Sequence, residues 1–317
     1  MRIFYFLLFL ACFFSQEIEI KAQCCAAGNP LNISPDFQRS NRNDLKISLL
    51  FRNSISDTYY NENEVIDINY VDNSGFNYLE LGAEYGLIDW LSLRIETGYY
   101  LSKFETYKNP DFEKKNAYGL ADLNIAARFD LYKKPSRKLQ ISGIAGIKLP
   151  VGVFDLVVDN IKLPVQLQPS SGSFRYHGGI QINKAYLQNK INVFLGSSVE
   201  FSQRIQSKNF DYKYGTVYMI ALGSGYKLNS KLNFLMQGRV EIRKKSQREN
   251  NQIVEASGGT IVMAVPQISY QAFEDWNLSL AFSTPIYRKY NSIQLGNKHS
   301  FSFILTRNNV KIQRKTT

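Results

Sequence analysis

Charged side chains recur at alternate positions inside apolar segments of this chain. Within residues 74–103, Glu80, Glu84, Arg94 and Glu96 share one register with glycine and serine, whereas leucine and isoleucine fill the other. Successive side chains of an extended chain point to opposite faces, so a period of two indicates strands with one polar and one apolar face. Carboxylates and guanidinium groups on one face can bind ions or polar solutes, or pair with each other.

The same alternation in later segments extends the set of charges on the polar face. The candidates for the lining of an interior are Glu80, Glu84, Arg94, Glu96, Asp122, Arg128, Asp130, Lys148, Arg175, Glu200, Arg239, Glu241 and Arg243. Seven are acidic and six are basic, which is close to balance. Because burying an unpaired charge is costly, we expect pairing whether or not a solute passes. Two interpretations stay open: a salt-bridge network that stabilises the interior, and a lining that selects solutes.

Thiols and imidazoles are few. Cys24 and Cys25 are adjacent, and they could bind a soft metal, react with a partner thiol or form a strained, reducible bond with each other. His177 and His299 are the only histidines and fall on different predicted strands; they could share a metal ion or be separate polar wall residues. The identity of any metal is unknown at this level.

Sequence patterns typical of a P-loop, a zinc metalloprotease or a serine hydrolase do not occur. We therefore predict that the protein is not an enzyme and uses no cofactor. A hydrolase built from serine, histidine and an acid would have to use His177 or His299.

The elements that position the charges can be found by reading alternate residues along the whole chain. This predicts twelve strands, near residues 44–53, 75–87, 90–102, 117–131, 138–149, 174–184, 190–202, 214–227, 231–243, 258–272, 276–287 and 298–306. Long connections at 54–74, 103–116, 150–173, 203–213, 244–257 and 288–297 alternate with short ones. An even number of strands with this alternation is typical of an outer-membrane barrel. We predict an all-β fold, a transmembrane antiparallel up-and-down β-barrel.

The start of the chain predicts export. Met1 and Arg2 precede an apolar stretch at 3–14, and Ala22 precedes Gln23, which is typical of a signal peptide at 1–22. The apolar stretch is shorter than the roughly 20 residues of a membrane-spanning helix, and polar residues interrupt every later apolar run. A closed barrel is the other structure that satisfies all backbone groups in lipid. The predicted organisation is a periplasmic N-terminal segment at 23–43, the barrel at 44–306 and a basic tail at 307–317.

Composition supports a membrane partner and argues against nucleic acid. The net charge is +11, but the basic residues are dispersed over turns, loops and the tail and form no basic stripe. We predict outer-membrane lipid and small-molecule solutes as partners, and no nucleic acid. Aromatic residues near predicted strand ends suit interfacial girdles, and these are Tyr99, Tyr100, Tyr132, Tyr186, Tyr226, Tyr287 and Tyr290.

Three parts of the chain resemble a known family. A strand with a G-x-x-D pattern is similar to YGLADLNIAARFDLY (118–132). Two further segments, with the patterns K-x-P-x-G and Q-P-G-S-G-S-x-D, are similar to GIKLPVG (146–152) and LQPSSGSFRYHGGI (167–180). VPQISYQ (265–271) with STPIYRKYNSIQLG (283–296) is similar to a closing hairpin. Together they resemble the outer-membrane family named for the meta-pathway of phenol degradation, and related transporter-like barrels of Gram-negative bacteria. Ser170 replaces a frequent glycine, and Arg175 lies near the usual aspartate.

The resemblance covers about 44–306 and implies a barrel that imports small, often hydrophobic solutes. We expect a monomer in the outer membrane of a Gram-negative bacterium, acting as a channel or transporter, with its termini and short turns in the periplasm. The alternative is a structural or partner-binding barrel with a closed, salt-bridged lumen and no transport.

Overall fold

A computed structural model describes residues 40–68, 70–111, 113–158, 160–207 and 210–311. The predicted signal peptide lies outside these residues, as do Cys24, Cys25 and most of the segment predicted at 23–43. Residues 312–317 of the predicted basic tail also lie outside them.

The described chain forms a closed antiparallel barrel of twelve wall strands, as predicted. These are β1 (Asp44–Asn61), β2 (Val71–Ile88), β3 (Leu91–Tyr107), β4 (Lys115–Leu120 and Leu123–Lys134), β5 (Leu139–Leu149), β6 (Arg175–Tyr186), β7 (Ile191–Ser202), β8 (Val217–Lys227), β9 (Leu232–Arg243), β10 (Gly259–Phe273), β11 (Trp276–Tyr290) and β12 (Ile293–Lys311). Each strand pairs with the next in sequence, and β1 also pairs with β12 from Asp44↔Lys311 to Asn61↔Ile293. That pairing removes both sheet edges.

The other elements are short and lie at the two ends of the barrel. Small strands occur at Glu64–Ile66, Val157–Val158, Ile161–Lys162, Ile205–Ser207, Phe210–Lys213, Ser246–Arg248 and Ile253–Val254. Single 3₁₀ turns occur at Pro135–Arg137, Val165–Leu167, Leu187–Asn189 and Glu249–Asn251. In the described part of the chain, no helix is long and apolar enough to cross a membrane.

The connections define two rims. The short-turn rim holds the turns at 89–90, 135–138, 187–190, 228–231 and 274–275; the long-loop rim holds 62–70, 108–114, 150–174, 203–216, 244–258 and 291–292. The expected long loop at 288–297 is wrong, because β11 and β12 continue to a two-residue turn. β12 also continues to Lys311, so residues 307–311 of the stretch predicted as a tail belong to the wall.

The wall is inverted relative to a soluble sheet. Apolar side chains cover its outer face, among them Leu81, Ile95, Leu195, Leu222 and Phe282, all exposed. The alternate positions point inward and carry the polar set; Glu84 is only 3% exposed. This is the arrangement of a lipid-facing barrel, in which strands alternate between apolar outside and polar inside.

The predicted aromatic girdle is partly wrong. Tyr99, Tyr132, Tyr186, Tyr226 and Tyr287 are exposed, in agreement with an outward position. Tyr100 and Tyr290 are instead 4% and 3% exposed. Tyr100 packs against Tyr78, with ring centroids 4.8 Å apart, and Tyr290 packs against Tyr60 at 6.0 Å, so both fill the interior.

A bulge in β3 changes which face its later residues occupy. Asn77 of β2 pairs with Ser102, but the next residue, Tyr78, pairs with Tyr100, so Leu101 is an extra residue. One extra residue moves all later side chains of a strand to the opposite face. Lys103 and Glu105 therefore point inward and are buried, although strict alternation from Arg94 would place them outside.

The lipid-facing assignment predicts a large cost for a charge on the outer wall. We expect Leu222→Arg, at the middle of β8, to lower the free energy of unfolding by ~2–4 kcal/mol, because arginine must enter hydrocarbon. Urea unfolding in lipid vesicles measures it. Val65→Arg is the control, since Val65 is also exposed but lies at the long-loop rim. Equal costs for the two variants would contradict the assignment.

Candidate functional site in the barrel lumen

The interior of the barrel gathers the charges that the sequence predicted for it. Eleven of them line one or both of two cavities, and Arg128 and Asp130 lie on the inner wall outside the cavities. The main cavity, of about 350 Å³, is lined chiefly by β1 and β9–β12. The loop-side cavity, of about 180 Å³, is lined chiefly by β2–β7 and by the loop at 165–171.

Glu84 is the centre of the first group of ion pairs. Its carboxylate accepts hydrogen bonds from Arg128 Nη1 at 2.9 Å and from Ser92 Oγ at 2.8 Å, while Arg94 Nη1 lies 3.9 Å away. Arg94 also binds Glu96 through Nη2. These residues come from β2, β3 and β4, so the group joins three neighbouring strands and leaves none of its carboxylates without a cation.

Glu200 is the centre of the second group. Arg175 of β6 pairs in register with Lys148 of β5, which places two like charges side by side. Glu200 of β7 neutralises both: Oε1 lies 3.0 Å from Arg175 Nη1 and Oε2 lies 2.7 Å from Lys148 Nζ. Arg175 Nη2 also binds Asp122 Oδ2 at 2.7 Å. For the β2–β7 wall the expected salt-bridge network is therefore present.

The two histidines lie on different faces of the wall. His177 is buried inside, and its Nε2 is 2.8 Å from Asn124 Oδ1; the Asn124 amide donates to Glu96 Oε2 at 2.8 Å. His299 contacts the ring of the exposed Phe282, at 5.8 Å between centroids. One metal ion cannot reach side chains on both faces, so the two-histidine site is wrong. Among the described residues no group of three metal-binding side chains occurs.

The loop at 150–174 folds into the lumen above the loop-side cavity. Asp122, at the break in β4, accepts hydrogen bonds from Ser170 Oγ at 2.5 Å and from Ser171 Oγ at 2.6 Å. Lys103 Nζ donates to the Gln168 carbonyl at 2.8 Å. Leu163 and Leu167 are buried in a cluster with Ala117. Charged and apolar contacts thus fix this loop as a cover over one half of the barrel.

Apolar side chains also enter the lumen and reduce its width. Leu50, Phe76, Tyr78 and Tyr100 form one buried cluster between the two cavities. Gly98 makes room for it, because a Cβ atom there would lie 2.2 Å from the Tyr78 hydroxyl. A second buried cluster joins Phe194, Ala221 and Leu235 on the β7–β9 wall. These clusters leave the open space of the lumen divided between the two cavities.

The main cavity is positively charged, although the sequence predicted near balance. Seven basic side chains line it, namely Lys46, Arg52, Arg94, Lys227, Lys231, Arg239 and Arg243, against the acidic Glu80, Glu84 and Glu241. Arg243 Nε binds Glu241. Asp130, on the other wall, accepts from Gln140 and Ser142. Arg239 forms no hydrogen bond or ion pair within the described part of the chain, and its Nε is buried.

Four basic side chains of the main cavity were missed by the sequence analysis. Alternation within 44–53 places Lys46 and Arg52 on the same face of the strand as Ser48, so the sequence pattern does indicate that both point inward. Lys227 and Lys231 flank a turn, where alternation says nothing about direction.

Comparison with solved structures identifies the fold. An outer membrane channel from Pseudomonas putida F1 is similar over 87% of this chain and 98% of that one, with a TM-score of 0.71 and 11% identity. The NanC porin is similar over 84% and 100%, with a TM-score of 0.46 and 9% identity. The β domain of the Bordetella autotransporter BrkA is similar over 83% and 98%, with a TM-score of 0.49 and 12% identity. The first similarity shows that this chain has the fold of an outer-membrane channel.

Sequence comparison adds no closer relationship. No protein-family model matches the chain, and no curated protein matches it. The resemblance to the phenol-degradation family therefore rests only on the three parts of the sequence that carry it, and the shared feature that the structure supports is the outer-membrane barrel.

The ion pairs of Glu84 are buried, so their loss should lower the stability of the barrel more than the loss of an exposed ion pair. We expect Glu84→Gln to lower the free energy of unfolding by about 3–5 kcal/mol, because Arg128 and Arg94 lose a buried carboxylate. Urea unfolding in vesicles measures the loss. Glu255→Gln removes the partner of Lys245 in an exposed pair, which should cost less than about 1 kcal/mol. A Glu84 variant as stable as its control would show that the network does not hold the wall.

Proposed function

We propose that the protein is a channel for small solutes in the outer membrane of a Gram-negative bacterium. The observation that carries the proposal is the main cavity. Its lining begins at residues 227–233 on the short-turn rim, continues along β9–β12 and β1, and reaches Gly258, Tyr290 and Asn297 near the long-loop rim. A cavity with charged, polar and apolar lining that runs the length of a wall with an apolar exterior is what a solute channel requires.

The proposal also includes the location of the protein, its orientation in the membrane and its oligomeric state. Export by the signal peptide at 1–22 would deliver the chain to the outer membrane, with the short-turn rim in the periplasm and the long loops outside. The closed ring of strands needs no second copy to complete its backbone hydrogen bonds, which supports a monomer.

A structural barrel without transport is the second candidate, and a specific observation favours it. The loop-side cavity is covered by the loop at 150–174, and its charges are bound to each other. This half of the lumen resembles the salt-bridged interior of a closed barrel. The main cavity differs because its volume is larger and because Arg239 in its lining forms no ion pair within the described residues.

Conductance separates the two candidates. Purified protein in a planar lipid bilayer should give small, discrete conductance steps. Ala281→Trp, which places an indole in the main cavity, should lower the step size several-fold, because the larger side chain fills part of the cavity.

Ala127→Trp is the matched control, since Ala127 lies on the outer face of β4, pointing away from the lumen. Its step size should equal that of the wild type. Wild-type protein that is folded by heat-modifiable gel migration but shows no conductance would support the closed barrel. Equal steps from both tryptophan variants would place the passage elsewhere.

A further inference from the structure

Two neighbouring side chains of β9 present unused hydrogen-bond donors to the main cavity. Arg239 and Gln237 occupy successive inward positions, which places them about 7 Å apart along the strand. Gln237 is 1% exposed, and its Nε2 has no partner among the described residues. Arg239 Nε is also buried and has no hydrogen-bond partner among the described residues. Buried polar groups are normally satisfied, so an unpaired guanidinium beside an unpaired amide indicates a missing acceptor.

Among the described residues no carboxylate forms a hydrogen bond or ion pair with Arg239, although Glu241 lies close enough to interact with it electrostatically. The partners of Arg239 in register are Ala221 on β8 and Met263 on β10. Glu241, the next inward residue, is bound to Arg243. The charge that reaches Arg239 from across the lumen is Arg52 of β1, which is close enough to interact with it electrostatically.

Arg52 brings a second guanidinium to the same part of the cavity. Its Nε donates to Ser302 Oγ at 3.3 Å, so the group is held on the β1–β12 wall. Two guanidinium groups that line the same cavity make it more favourable for an anion.

We propose that the main cavity binds a small organic anion, with its carboxylate on Arg239 and within reach of the Gln237 amide. A guanidinium presents two parallel N–H donors that match a carboxylate. The wall beside it is apolar, formed by Ile261, Met263 and Val265, and suits a short hydrocarbon body. The inference rests on the proposed function, since the lumen must admit the solute, and it names the class of solute.

The other basic side chains have different roles in this picture. Arg94 and Arg243 are already paired with glutamates, so they offer less to a ligand. Lys227 and Lys231 lie at the short-turn rim, where they would raise the local concentration of anions at that mouth of the cavity.

Binding in detergent tests the proposal without requiring conductance. Isothermal titration calorimetry with butyrate, butyramide and butylammonium compares three probes that differ mainly in their charged group. We expect wild-type protein to bind butyrate and neither of the others. Arg239→Gln should weaken butyrate binding by roughly tenfold or more, because a charge-assisted pair is lost. Gln237→Leu, which keeps the charge, should weaken it by a smaller factor.

The control for net charge is Arg137→Gln, at the short-turn rim and outside both cavities. It should bind butyrate as the wild type does. Heat-modifiable migration checks that each variant is folded, and Arg239→Gln should fold well because Arg239 makes no contact that the barrel needs.

The outcomes separate this inference from the proposed function. Wild-type protein that conducts ions but does not bind butyrate would overturn the anion site and leave the channel intact. Equal binding of butyrate and butyramide, or unchanged butyrate affinity in Arg239→Gln, would also overturn it. Butyrate binding that depends on Arg239 in a protein without conductance would support the site and count against the channel.

Discussion

The structure depends on closure of the backbone hydrogen-bond ring between β1 and β12. In lipid an unpaired N–H or C=O group costs several kcal/mol, so a sheet can cross a membrane only when it has no edge. The pairing from Asp44↔Lys311 to Asn61↔Ile293 meets this requirement. Once the ring is closed, every strand has one face toward lipid and one toward the lumen. The apolar residues take the outer face, and the polar residues are then enclosed with little water to solvate them.

Enclosed charges must be paired or must serve a ligand, and the two sides of this lumen differ in that respect. Around Glu84 and Glu200 each carboxylate holds at least two cations, and the resulting bonds join β2 through β7. Acidic and basic side chains at fixed positions on neighbouring strands can neutralise one another in this way without a ligand. On β9 the pattern breaks, because Arg239 has apolar neighbours in register and Arg52 across the cavity. A buried arginine that forms no ion pair among the described residues is more easily understood as a property of solute binding than of the fold.

Alternation along the sequence was enough to predict twelve strands, the closed antiparallel order, and the inward position of the charges from Glu80 to Arg243. It could not predict features that depend on contacts between strands. The extra residue at Leu101 moves Lys103 and Glu105 inside, and no local signal marks it. Tyr100 and Tyr290 were assigned outside because aromatic residues suit both a lipid interface and an interior. The charge of the main cavity depends on which side chains share a space. A count of seven acidic and six basic residues over the whole interior cannot give the charge of one cavity.

The wall strands differ in length around the barrel. The strands from β5 to β9 have 11 or 12 residues, whereas β1, β2, β3, β10, β11 and β12 have 15 to 19. The loops at 150–174 and 203–216 join shorter strands, and the loop at 244–258 joins β9 to the longer β10. The loop at 150–174 is held by the charged contacts of Asp122, but the loop at 244–258 meets the tall wall through neutral amide bonds. Asn291 donates to the Ser257 carbonyl and Gln294 to the Gly258 carbonyl, each at 2.9 Å. Neutral hydrogen bonds are about half as strong as charge-assisted ones. The loop at 244–258 is therefore held to the tall wall by weaker bonds than those that join the loop at 150–174 to Asp122, and its Gly258 lines both cavities.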